Sequence, residues 1–331
     1  MEMMRHGVAI IGSGSATPTQ ALDNAGMSQV VETSDEWISS RTGIRQRRLA
    51  ASTESLTALA STAAQQALGM ANVEPTDIDL IILATSTPDD LFGSASKLQA
   101  SIGATCAVAF DLTAACSGFI FGMVTAAQFI RTGAYKNVLL VGADVLSRWV
   151  DWSDRRTCVL FGDGAGAVVM QAQERDRLRG FDLHSDGTQN SCLTLAFDSN
   201  SQELVNGITV NKGTFEPIQM QGQDVYKFAV RQVPAVVKKA LEHSRLTIED
   251  VDWLLLHQAN QRILDAASSR LKIAPEKVIS NMAKYGNTSA ASIPIALDEY
   301  VREGKIKPGD IIASAGFGAG LTWGAAIFEW G

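Results

Sequence analysis

A chain of 331 residues is long enough for two folded units or one large fold, at roughly 150 residues per domain. Hydrophobic residues make up 46% of it and charged residues 19%, so no tract reads as a disordered linker. Its net charge of -7, from 28 basic and 35 acidic side chains without a polybasic run, excludes a nucleic-acid or anionic-membrane surface and leaves any acidic partner to a local patch.

The opening run MEMMRHGVAIIGSG gives way to Gly and Ser too soon for a secretory signal, which predicts a cytoplasmic chain. GSGSATP (12–18) lacks dinucleotide spacing and reads as a tight turn. TDIDLIILATS (76–86) is Asp-x-Asp followed by an apolar run of strand length. From Leu112 to Ile130 there are 19 residues without a charge, the length of a membrane span. Thr113, Ser117, Thr125 and Gln128 interrupt that run and small residues fill much of it, so a buried central helix is expected and no membrane insertion. RTGAYKNVLLVGAD (131–144) then reads as a helix end, a stop at Gly133 and a strand. FGDGAGAVVMQ turns on Gly162, Gly164 and Gly166 into a strand instead of a helix, which argues against a dinucleotide fingerprint.

The same order then returns. EDVDWLLLHQA (249–259) repeats the Asp-x-Asp strand at an offset of 173, from Asp77 to Asp250. REGKIKPGDIIASAG (302–316) repeats the helix stop and strand at an offset of 171, from Gly133 to Gly304, and GLTWGAAIFEW closes the chain as FGDGAGAVVMQ closes the earlier part. The chain therefore reads as a duplicated α/β unit, one half over 1–175 and the other over 176–331, with buried helices between two sheets. An offset of 171 carries Cys116 onto Asn287, and 173 carries Ala84 onto His257. A pseudo-twofold relating the halves brings Cys116, His257 and Asn287 toward one axis.

Cys106, Cys116, Cys158 and Cys192 lie far apart without a C-x-x-C pair, so neither a metal site nor a disulfide framework is expected. Cys106 and Cys158 have apolar or strand-like surroundings and are assigned to packing. Cys116 opens a helix, where free N–H groups and partial positive charge favour a thiolate. His257, at the carboxyl end of a strand, is placed to take the thiol proton or to pair with the thiolate. Asn287, after a Gly, reads either as a helix cap or as the third member of a site. The small residues of SAGFGAGLTWG (314–324) let backbone N–H groups approach a carbonyl closely, as in an oxyanion hole.

DLTAACSGF, HQANQRI and YGNTSAASIP, with DEWISSRTGIRQRR (35–48) and FGDGAGA, resemble β-ketoacyl-[acyl-carrier-protein] synthase III nearly end to end. That family initiates type II fatty acid synthesis, and the resemblance implies its thiolase-like fold, a duplicated five-layered αβαβα arrangement. It implies that Cys116 takes an acetyl group from acetyl-CoA, that malonyl-[acyl-carrier protein] loses carbon dioxide, and that the carbanion attacks the acyl-thioester. By the same resemblance, His257 and Asn287 hold the enolate oxygen, and the backbone N–H groups of Cys116 and Ala319 hold the acyl oxyanion. The family's glycine run reads Gly318-Ala319-Gly320 here. Thr33, Trp37, Arg41 and Arg155 fall where the family grips the adenine of CoA. Gly222, Tyr226 and Asn260 fall along its pantetheine tunnel, Tyr226 standing where a Phe is common. Leu91 and Phe92 fall at the acyl pocket, often across a homodimer interface, and Lys227, Arg262 and Arg270 at the patch for the acidic carrier protein. Acetyl-CoA is a substrate, and no cofactor is implied. Asn287 argues against thiolases, which use a second catalytic cysteine, and against elongating synthases, which use a second histidine. Polyketide-priming relatives keep Cys-His-Asn, and a Cys-His hydrolase or acyltransferase needs neither the Asn nor the basic patch.

Overall fold

The two Asp-x-Asp segments do the same work at two places in the molecule: each ends a 3-10 turn and ties the start of one parallel strand to the start of the next. Asp79 accepts the N–H groups of Lys136 and Asn137 at 2.8 and 2.9 Å, and Asp252 accepts that of Ile311 at 2.9 Å. A computed structural model describes residues 6–331. Its main elements are β1 (Gly7–Ala16), α1 (Asp35–Thr42), α2 (Leu56–Ala71), β2 (Leu80–Ala84), α3 (Ala95–Ile102), β3 (Val108–Leu112), α4 (Gly118–Arg131), β4 (Asn137–Asp144) and β5 (Gly164–Gln173). There follow β6 (Leu178–Ser185), β7 (Phe197–Val205), β8 (Ile208–Phe215), α5 (Gly222–Ser244), β9 (Trp253–Leu256), α6 (Gln261–Leu271), α7 (Ser292–Arg302), β10 (Ile311–Gly318) and β11 (Thr322–Glu329).

The first sheet has the order β1-β5-β4-β2-β3, with β2 parallel to β3 and β4, and β5 antiparallel to β4 and β1. The second has the order β9-β10-β11-β6, with β9 and β10 parallel and the rest antiparallel. Where β3 pairs with β2 from Leu80–Val108 onward, the second sheet keeps only a single parallel bridge, Leu254 to Val278. Three cores separate five layers: α2 and α3 against the first sheet, α4 and α7 between the sheets, and α5 and α6 against the second. This is the αβαβα arrangement, with β7 and β8 added as an almost fully exposed hairpin.

Local chemistry explains the layers. The Ser55 side chain accepts from Ala58 N at the head of α2, and Leu56, Leu59, Ala60, Ala63, Ala64, Ala67 and Leu68 recur at helical spacing as its buried face. The strand beneath must be bare: a Cβ on Gly12 or Gly14 would lie 2.5 Å from Ala67 O or 2.2 Å from Ala63 O. The turn expected at GSGSATP is therefore the second half of β1, whose glycines serve close packing. Asp298 of α7, 1% exposed, pins this strand from the other side by accepting from Ser13 Oγ at 2.9 Å, Ser15 Oγ at 2.6 Å and Arg302 Nε at 2.9 Å.

The uncharged run from Leu112 to Ile130 is not one helix. It holds the end of β3, a 3-10 turn over Ala115–Ser117, and then α4. Among the described residues no helix is long and apolar enough to cross a membrane. Cys158 is buried, but Cys106, assigned to packing from its apolar neighbours, is exposed in the turn between α3 and β3.

Candidate active site

Cys116 sits on the 3-10 turn between β3 and the N-terminus of α4. Ala115 takes φ 46°, in the left-handed region that non-glycine residues rarely adopt, and this bends the chain from strand to helix within a few residues. The turn rests on β10, where side chains are excluded. A Cβ on Gly318 would stand 2.7 Å from Cys116 N, and one on Gly316 would stand 3.1 Å from the Ser117 Cα. Thr322 Oγ1, opening β11, donates to the Ala114 carbonyl at 3.2 Å and hydrogen-bonds to Ser117 Oγ at 2.8 Å.

His257 follows the last residue of β9, and its N–H donates to Ala315 O of β10 at 2.8 Å, so the ring leaves the sheet at its carboxyl end. The imidazole is buried, edge-on to Phe317 at 5.3 Å between centroids, and its Nδ1 is 2.7 Å from Ser292 Oγ. Asn287 is held by backbone: its N–H donates to Leu160 O and its carbonyl accepts from Gly162 N, both at 2.9 Å. Its Oδ1 accepts from Ser289 N at 2.9 Å, which leaves the Nδ2 end of the amide as a donor.

Cys116, His257 and Asn287 line one cavity of about 130 Å³, walled by apolar groups that include Phe161, Leu193, Met220 and Phe317. Burial pushes the Cys116 thiol up to about 12, and the Asp144 carboxylate adds to it, against an opposing hydrogen bond from the Ser289 hydroxyl. Burial holds His257 down to about 3. The helix N-terminus expected to favour a thiolate is present, but desolvation outweighs it, and both groups are neutral near pH 7. Asp144, ending β4, accepts from Ser86 N, Ala290 N and the hydroxyls of Thr85 and Thr87 at 2.8 to 3.2 Å, and burial raises its carboxyl. The Ala290 N–H, donating to this carboxyl at 3.2 Å, ties the turn carrying Asn287 to the end of β4.

A second cavity of about 490 Å³ adjoins the first through shared walls at Leu160, Gly222, Tyr226 and Asn260, and it is bounded by Trp37, Arg41, Lys227 and Arg262. Asn260 spans the join: its Oδ1 caps α6 at Arg262 N, and its Nδ2 donates to Arg41 O at 3.0 Å. Five of the seven residues expected at CoA thus line the path. Arg155 stands beside it, its guanidinium 4.8 Å from the Trp37 ring centroid, with that of Arg41 at 4.7 Å. Thr33 walls neither cavity, and its buried Oγ1 has no partner.

Other expected residues fall elsewhere. Ala319 is not in the cavity wall, although Gly318 and Leu321 are; its carbonyl accepts from Thr322 Oγ1 at 3.0 Å. Leu91 and Phe92 do not reach Cys116 within one chain. They are 82% and 101% exposed, because Asp111 accepts the Ser94 and Ala95 N–H groups and Gly93, at φ 104°, turns the preceding loop outward. Lys227 pairs weakly with Asp224 at 3.7 Å, and Arg270, away from both cavities, donates to Val230 O at 2.8 Å.

A family model for 3-oxoacyl-[acyl-carrier-protein (ACP)] synthase III matches residues 110–187, and one for its C-terminal part matches 241–330. The β-ketoacyl-[acyl-carrier-protein] synthase III of Trichormus variabilis is 67% identical over 329 residues, 99% of this chain and 100% of that one. This chain belongs to the β-ketoacyl-[acyl-carrier-protein] synthase III family. It is an acyltransferase of the condensing type with the family's thiolase-like fold. The solved 3-oxoacyl-[acyl-carrier-protein] synthase III of Aquifex aeolicus superposes with a TM-score of 0.90 at 44% identity, covering 98% of this chain and 100% of that one. The priming β-ketosynthase of the R1128 polyketide pathway gives 0.91 at 31% identity, covering 100% and 98%.

Several residues that build this synthase III site are invisible to motif reading. Ser289 and Ser292 lie inside GNTSAAS, and Asp144 closes VLLVGAD, but only the folded chain aims them at the triad. Phe317 is the second residue of a Gly-Phe-Gly step, where alternation along β10 is the available signal.

Proposed function

We propose that this synthase III condenses acetyl-CoA with malonyl-[acyl-carrier protein] to give acetoacetyl-[acyl-carrier protein], carbon dioxide and CoA, the first condensation of type II fatty acid synthesis. The observation that carries the reading is one apolar cavity walled by Cys116, His257 and Asn287 and joined to a second that opens among Trp37, Arg41, Lys227 and Arg262.

In this reading the Cys116 sulfur attacks the acetyl thioester, a new C–S bond replaces the bond to CoA, and the proton leaves on the CoA thiol. The thiolate is the attacking form, so the thiol gives up its proton as the C–S bond forms. The malonyl carboxylate then departs as carbon dioxide, and its electron pair moves onto the thioester oxygen. His257 Nε2 and Asn287 Nδ2 are the two side-chain donors for that oxygen, acting where water is excluded and charge is costly. The enolate carbon attacks the acetyl carbonyl and expels the Cys116 sulfur as a thiolate, which takes a proton from solvent to return to the thiol. The Cys116 N–H, backed by Gly318, and the N–H of Ala319 serve the acyl oxyanion.

Trp37, Arg41, Arg155 and Thr33 are assigned to the nucleotide end of CoA, with Arg155 swinging off the indole to admit the base. Gly222, Tyr226 and Asn260 are assigned to the pantetheine arm, and Lys227, Arg262 and Arg270 to the acidic carrier protein. Leu91 and Phe92 are assigned to the acyl pocket of the second subunit in a homodimer, which their exposure supports. The enzyme works in the cytoplasm without a resident cofactor.

Peptide-mapped mass spectrometry of the protein mixed with acetyl-CoA, before and after malonyl-[acyl-carrier protein] is added, tests this. An acetyl adduct on Cys116 that persists in water and discharges only on the malonyl carrier is expected. An adduct that water alone removes would make the chain a thioester hydrolase. Asn287→Ala should still acylate and fail at condensation.

A further inference from the structure

The hydrogen bonds around Ser292 decide which nitrogen of His257 carries the proton. Ser292 is the first residue of α7, 2% exposed, and its Oγ lies 2.7 Å from His257 Nδ1. The same Oγ accepts from Gln258 N at 3.3 Å, which occupies one lone pair. A hydroxyl has one proton to give. Ser244 spends its proton on carbonyls of its own helix, Ala240 O and Leu241 O, whereas among the described residues Ser292 Oγ meets no carbonyl or carboxylate. Among the described residues the acceptor that faces it is the ring nitrogen.

We infer that Ser292 donates to His257 Nδ1 and so fixes the imidazole as its Nε2–H tautomer, making His257 a hydrogen-bond donor toward the cavity and not a base for Cys116. The alternative, Nδ1–H donating to Oγ, leaves the serine proton buried without a partner and turns a lone pair of Nε2 toward the thioester oxygen, where it repels developing charge. Phe317, edge-on to the ring at 5.3 Å, limits the rotation by which the ring could exchange its nitrogens. Ser292 is thus a positioning residue acting through His257, and its effect on rate rests on the enolate-stabilising role proposed above.

Imidazole 15N shifts of the histidine-labelled full-length protein report the tautomer whether or not the enzyme condenses anything, so this inference and the proposed reaction fail separately. The expected result is protonated Nε2 and bare, hydrogen-bonded Nδ1. Protonated Nδ1 in the unmodified protein overturns the inference. In Ser292→Ala the Nδ1 shift should move to that of an unbonded nitrogen. Malonyl decarboxylation should fall about tenfold or more, a fraction of the 10²–10³ lost with a whole oxyanion donor, while acetylation of Cys116 stays within about threefold. Ser292→Thr, which keeps the hydroxyl, should restore both the shift and decarboxylation. Unchanged shifts in Ser292→Ala, or equal loss of both half-reactions, overturn the inference.

Discussion

Replacing Gly318 by Ala tests how closely β10 holds the nucleophile. Gly318 does not have a positive φ, so the added methyl meets no backbone penalty and the effect is steric. Its Cβ would stand 2.7 Å from Cys116 N and 3.1 Å from the Cβ atoms of Ala115 and Cys116, where ordinary contact begins at 3.4 Å. About 0.7 Å must be absorbed, and none of these three atoms is the far end of a flexible side chain. The 3-10 turn is the softer partner, since β10 is paired on both sides by β9 and β11. Overpacking of this kind costs about 1–3 kcal/mol of stability, and a displacement approaching 1 Å at a reacting atom costs about 10²-fold in rate. Single-turnover acetylation of Cys116, followed by intact mass, should therefore slow by one to two orders of magnitude, with a modest loss in urea midpoint. Gly69→Ala, the same substitution at a position in α2 where the added Cβ meets nothing within 4 Å, is the control and should acetylate at nearly the unmodified rate. Gly318→Ala acetylating at the full rate would refute the view that bare backbone on β10 sets the position of Cys116.

Burial holds His257 near 3 against an ordinary 6.5, so the unfolded chain takes up a proton that the folded one refuses. This contribution is intact above pH 6.5 and lost as pH falls toward 3, by about 1.4 kcal/mol per unit; urea titrations of His257→Gln should show a shallower acid slope, about 2–3 kcal/mol apart by pH 4.5. Trp37→Ala removes the ring against which Arg41 and Arg155 lie, and its KM for acetyl-CoA should rise about tenfold with kcat for Cys116 acetylation kept. Acetyl-pantetheine, which lacks the adenine, should be indifferent to that change, and an equal effect on it would remove Trp37 from the nucleotide site. Asp298→Ala strands the buried hydroxyl of Ser13 and the half-buried one of Ser15 and should cost about 2–3 kcal/mol in chemical denaturation, with a loss within 0.5 kcal/mol counting against the pin between β1 and α7.

The repeat was readable because it is written in residues whose local chemistry is strong. Asp79 and Asp252 cap equivalent strand starts, and Gly133 and Gly304, both with positive φ, stop equivalent helices. Those offsets bring Cys116, His257 and Asn287 toward one axis, and the three line one cavity. What escaped depends on neighbours distant in sequence. Gly12 and Gly14 carry turn composition but lie in a strand, because α2 presses on them. Cys106 has apolar neighbours in the chain and solvent in the fold. A helix end beside a histidine suggests that the imidazole takes the thiol proton or pairs with a thiolate, but desolvation, which has no sequence signature, raises the thiol and lowers the imidazole. Leu91 and Phe92 are exposed and do not line the cavity of Cys116, because the loop before Gly93 turns outward.

The shared wall of Leu160, Gly222, Tyr226 and Asn260 joins the two cavities into one corridor that ends at Cys116. If both thioesters come in by their pantetheine arms, they cannot stand in it together, so the acyl donor must back out before the malonyl carrier enters. The cysteine then works as a memory: it stores the outcome of the first visit while the passage is cleared. Free CoA should compete with the carrier for that passage, and Tyr226, which lines both cavities, is a place where its width could be tuned without touching the triad.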